Sequence, residues 1–160
     1  MIKFIKMEDD DKIAVMFKRI ADEFQLSRYI DIQPRYLTKA PKNNVGALYK
    51  WNDVSATLTN NDSVVIVAVY GEAFDRVDEP TQEFWLRNLM SQITYDFDKD
   101  KIVLSKELLT VPVWMYQKYG IEAINKKELE IQVLNVLAEE AEERKKAEKE
   151  AKKASKKRNN

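Results

Sequence analysis

The chain contains no cysteine and no histidine. These absences exclude disulfides, thiolate and imidazole metal ligands, cysteine nucleophiles and every acid–base mechanism that runs through histidine. Glycine and proline are scarce, 3 and 4 among 160 residues, which argues against a collagenous or low-complexity chain. The glycines are too scattered for a phosphate-cradling loop. No apolar run approaches the roughly 18 residues of a membrane span. The opening, MIKFIKMEDDDK, lacks the apolar stretch and small-residue cleavage site of a signal peptide. The expectation is a cytoplasmic protein without a membrane partner.

What is present fits one globular domain with a highly charged surface, since 44% of residues are apolar and 34% charged. The formal net charge of zero hides a partition. Nine basic residues (Arg144, Lys145, Lys146, Lys149, Lys152, Lys153, Lys156, Lys157 and Arg158) stand against Glu148 and Glu150, so this stretch carries +7 and the rest of the chain −7. Clustered Lys and Arg of this kind read first as a solvated helix end; the alternatives are contact with the acidic body and nucleic-acid binding through counterion release alone.

Periodicity outlines the elements. Residues 2–7 read as an edge strand, and Ile13, Met16, Phe17, Ile20, Ala21 and Phe24 recur at helical spacing after the carboxylates Glu8 to Asp11. Ile30 to Leu37 reads as a strand that Pro34 makes short or places at an edge. Strands follow around Val45 to Trp51 and Val54 to Leu58. Val64 to Tyr70 (VVIVAVY) is apolar on both faces, as in a strand at the middle of a covered sheet. A turn region over 72–78 precedes a helix predicted from Glu79 to Tyr95, with Pro80 in its first turn. After the charged loop DFDKDK come Ile102 to Leu104, a short helix near 113–119 closed by Gly120, and a last helix from Lys126. The expected fold is α+β, a mostly antiparallel sheet packed by helices with a long charged C-terminal helix. Residues 1–124 form the domain, 125–141 the docked part of the helix, and 142–160 a basic tail that protrudes and frays toward Asn160.

Few residues suggest chemistry. Asp96, Asp98, Asp100 and Glu107 fall at positions 1, 3, 5 and 12 of a calcium-binding loop, with helices expected on either side. Lys101 stands where that loop needs glycine, and Leu104 offers no ligand. Ser91, and Ser105 with Lys106, lack any nucleophile motif. The tryptophans and tyrosines fall mostly at core spacings. The composition calls for no cofactor.

In its order of pieces the chain resembles the small metallopeptidases of bacteriophages, which have a zincin-like fold. FIKMEDDDKIAVMFKRIADEF resembles that family's opening and NVGALYKW its glycine-containing middle strand. NDSVVIVAVYGEAFDRVDEPTQEFWLRNLMSQITYDFDKDK resembles its strand–turn–helix–loop core, and WMYQKYG its closing segment. The resemblance covers roughly Phe4 to Gly120. It places Asn88 and Gln92 where the family's H-E-L-x-H motif has its zinc-binding histidines and Leu89 where it has the general-base glutamate. The third-ligand region falls near Lys106 to Leu108, again without histidine. Neutral amides are poor zinc ligands and leucine cannot activate water. The resemblance therefore implies a phage-encoded pseudoenzyme that binds a host or phage macromolecule in a regulatory, inhibitory or accessory role in the host cytoplasm. The alternative is a nucleic-acid-binding accessory protein acting through the basic tail.

Overall fold

A computed structural model describes residues 3–41, 44–51, 58, 63–105, 117–120 and 122–158. The chain runs through β1 (Phe4–Lys6), α1 (Lys12–Glu23), a 3-10 turn (Leu26–Arg28), β2 (Asp31–Leu37), β3 (Gly46–Lys50) and β4 (Val64–Tyr70). It continues through α2 (Gly71–Phe74), α3 (Glu79–Met90), β5 (Ile93–Asp96), β6 (Lys101–Leu104) and α4 (Glu122–Arg158). The result is α+β. The main sheet has the order β1-β2-β4-β3, and β5 and β6 form a separate hairpin. Three of the four ladders are antiparallel, while β2 and β4 run parallel through seven residue pairs, from Asp31↔Val64 to Leu37↔Tyr70.

The helices α1 and α3 start where carboxylates can satisfy free amides. Asp11 caps α1, its carboxylate accepting from Ile13 N at 2.8 Å and Ala14 N at 3.4 Å, and the Tyr36 hydroxyl donates to the same carboxylate at 2.9 Å. Asp78 caps α3 by accepting from Thr81 N at 3.1 Å. The buried face of α1 (Ile13, Met16, Phe17, Ile20, Ala21) meets α3 and the Val65, Val67, Val69 face of β4. Val64 and Ala68, on the other face of β4, are also fully buried, as expected of a covered central strand.

Several expectations change, among them the start of α4, which begins at Glu122 and not Lys126. β2 is an interior strand despite Pro34. Its ladder with β1 begins only at Arg35, so beside Pro34 the outer side has no partner strand in that ladder and the missing amide hydrogen breaks no β1 bond. The region read as a turn over 72–78 opens with α2. The helix predicted through Tyr95 stops at Met90: the Ser91 hydroxyl donates back to Asn88 O at 2.7 Å, and Ile93, Thr94 and Tyr95 pair with β6 as good strand formers. The acidic loop is consequently flanked by strands, not helices. Leu58, at the end of the strand expected from Val54, is helical, while Val54, Ala56 and the helix start at 113–116 lie outside the described residues. Gly120 has φ +63, as a helix C′ glycine requires.

Candidate functional site

Asn88 and Leu89 on the last turn of α3, with Gln92 just beyond it, face the start of β3 and the docked part of α4. They share a cleft with Asn44, Val45, Gly46, Val69, Phe74, Trp85 and Glu130. Gly46 is needed there. A Cβ at this position would lie 2.8 Å from Leu89 Cδ2 and 2.9 Å from Ala68 O, closer than packed atoms come. Leu89 thus packs against bare β3 backbone. Glu130 reaches in from α4, 4% exposed, and accepts from Val45 N at 3.0 Å and from Lys127 Nζ at 2.8 Å. The space remaining is about 10 Å³, at the lower limit for a single water. The arrangement binds a helix to a strand end; it leaves no room for a peptide.

Further contacts hold α4 in place. Trp85 Nε1 donates to Lys126 O at 3.0 Å and Lys126 Nζ to Thr81 Oγ1 at 3.1 Å. Leu137 is buried in the core. Arg76 makes a bidentate pair with Glu140 at 2.6 and 3.0 Å, and its hydrogen bonds hold the Glu140 carboxyl below the usual carboxylate range. Also on α3, Arg87 is inserted between Glu23 and Glu83 at 2.6 and 2.8 Å, and its guanidinium lies 5.9 Å from the centre of the Phe24 ring. Arg19 reaches Glu83 from the other side at 2.9 Å.

Sequence reasoning missed Glu130, Arg87 and the Arg76–Glu140 pair. For Glu130 a signal existed: Glu130, Val133, Leu134 and Leu137 share the i, i+3, i+4, i+7 spacing of the apolar face, and an acid at such a position asks for a buried partner.

Of the three described acids of the calcium-loop pattern, Asp96 and Asp100 have their carboxylates engaged in the β5–β6 turn, and Asp98 takes part through its backbone amide. Asp96 accepts from the amides of Asp98 and Lys99 at 3.1 and 3.2 Å and lies 3.6 Å from Lys99 Nζ. Asp100, at φ +49, accepts from the Tyr95 hydroxyl. Glu107 lies outside the described residues. Among the described residues, no group of three or more potential ligands is arranged to hold a metal ion.

The basic residues belong to α4 itself. This helix is continuous over 37 residues, about 55 Å at 1.5 Å per residue. Among the described residues, the contacts that hold it to the domain run to the Arg76–Glu140 pair, and some 27 Å of helix follows. Lys145, Lys146, Lys149, Lys152 and Lys153 are exposed, whereas Arg144 turns back toward Glu140 at 3.6 Å. No described helix is long and apolar enough to cross a membrane. Comparison with protein-family models, curated proteins and solved structures finds no match to this chain.

Proposed function

We propose that the chain is a zincin-like scaffold without catalysis, phage-encoded, that binds a host or phage macromolecule in a regulatory, inhibitory or accessory role. One observation carries this reading: the window Asn88, Leu89, Gln92 is packed shut by Gly46 and by Glu130 from α4. A hydrolytic site needs an open metal position and a substrate cleft. Here the corresponding volume holds a structural carboxylate and an apolar side chain. The projecting basic half of α4 favours a second reading, nucleic-acid binding, because the helix carries its cations away from an acidic domain.

The test is a pull-down from bacterial lysate with the full-length protein, with and without nuclease, beside a peptidase assay with added zinc. A stoichiometric protein band that survives nuclease is the expected result. Zinc-dependent peptide hydrolysis would overturn the non-catalytic reading, and recovery of nucleic acid alone would leave the second one standing.

A further inference from the structure

The lysines of the projecting helix are not spread around it. At about 100° per residue, Lys126, Glu130, Val133, Leu137 and Glu140, which mark the docked side of α4, fall within an arc of about 80°, with Arg144 at its centre. Lys145, Lys146, Lys149, Lys152 and Lys153 fall in a second arc, and the sequence continues the same spacing at Lys156 and Lys157. This second arc is about 140° wide, and its centre lies roughly 150° from that of the docked side. Ala147 and Ala151 continue the docked side. The five described lysines therefore form a stripe about 12 Å long on the side of the helix opposite the docked one.

We infer that this stripe is a binding surface for the phosphodiester backbone of nucleic acid, read without regard to sequence. The assignment rests on the tail reading and is independent of the zincin-like scaffold. Three features favour nucleic acid over other polyanions. The stripe is built of lysine, a point charge suited to phosphates, and counterion release gives such contacts affinity without further complementarity. Beyond Leu137 the helix has no apolar residue larger than alanine, so it lacks the aromatic and aliphatic anchors that carry protein interfaces. For the same reason it has no apolar face to bury in a lipid surface. The remainder of the chain, at −7, is repelled by the same phosphates. Contact is thus confined to the arm, and the helix keeps the domain clear of the nucleic acid.

The experiment uses the full-length chain and labelled 30-base-pair DNA, single-stranded DNA and duplex RNA, with phosphatidylserine vesicles as the competing polyanion. Affinity is followed by anisotropy from 50 to 200 mM salt. For duplex DNA the plot of log affinity against log salt should slope at about −4 to −6, close to −0.9 per phosphate neutralised. Lys149→Gln with Lys153→Gln should make it shallower by about one unit per lysine. Ala147→Glu with Ala151→Glu changes the net charge by the same amount on the other side of the helix, and should leave the slope nearly intact. No binding to any nucleic acid at 50 mM salt would overturn the tail reading altogether. Binding with equal losses in the two variants would overturn the stripe alone, and vesicle binding as strong as that to DNA would overturn its assignment to nucleic acid. The ranking of DNA against RNA identifies which backbone the arm meets.

Discussion

Arg87 lies inside α3 with its side chain 5% exposed, flanked by carboxylates from Glu23 and Glu83. Burial alone would push Glu83 up, but hydrogen bonds from Arg87 and Arg19 outweigh it and hold the carboxyl below its ordinary range. Replacing Arg87 by Met keeps the stem and deletes the charge, leaving two acids facing each other. We expect a loss of about 2–3 kcal/mol in urea unfolding, less than for a fully buried pair because both glutamates keep some solvent. Arg87 was not legible in the sequence as a buried cation. Helical spacing assigns it to a face, but its partner Glu23 lies on another helix, 64 positions away.

At the scale of elements, α4 is an amphipathic helix only as far as Glu140. Its docked half is fixed by polar contacts as much as by Leu137. Glu130→Ala would leave the Val45 amide without its acceptor and remove the partner of Lys127 Nζ, at a cost of about 1.5–3 kcal/mol. Hydrogen exchange should show the Val45 amide losing protection in this variant while the β2–β4 ladder keeps its own. Unchanged protection at Val45 would refute the role assigned to Glu130. The helices α1 and α4 were legible from periodicity, as was β4 from its continuous apolar run. The end of α3 was not, because Ile93 and Tyr95 continue the helical apolar spacing and only pairing with β6 makes them strand residues. The residues Asn88, Leu89 and Gln92 could be placed near the end of α3 from the sequence. The packing that closes around them could not, since Gly46 and Glu130 come from distant parts of the chain.

For the whole molecule, the missing histidine sets the pH response. Asp78, held by hydrogen bonds from Thr81, and Glu140, held by Arg76, are depressed like Glu83. Groups of this kind contribute stability that is present above the unfolded carboxylate value of about 4 and is lost as pH falls through their lower folded values. Burial, reinforced by Asp11, pushes the Tyr36 hydroxyl well up, and burial also raises Tyr70 and Tyr119. Their contribution is complete below about pH 10 and is lost as pH rises through the folded values. The melting temperature should therefore be flat from about pH 5.5 to 9 and fall on both sides. A step between pH 6 and 7.5 would contradict this account.

The amino-acid sequence by itself determined what chemistry is excluded, which segments form α1, β4 and the C-terminal helix, and that positive charge is gathered at one end. These follow from composition and from neighbours within a few residues along the chain, where spacing and charge act directly. Only the tertiary structure decided that β2 pairs in parallel with β4, that Glu130 fills the cleft beside Leu89, and that the lysine stripe lies opposite the docked side of α4. Each depends on which side of an element meets a distant one. That choice is made by burial of the whole apolar surface at once, and no local pattern contains it.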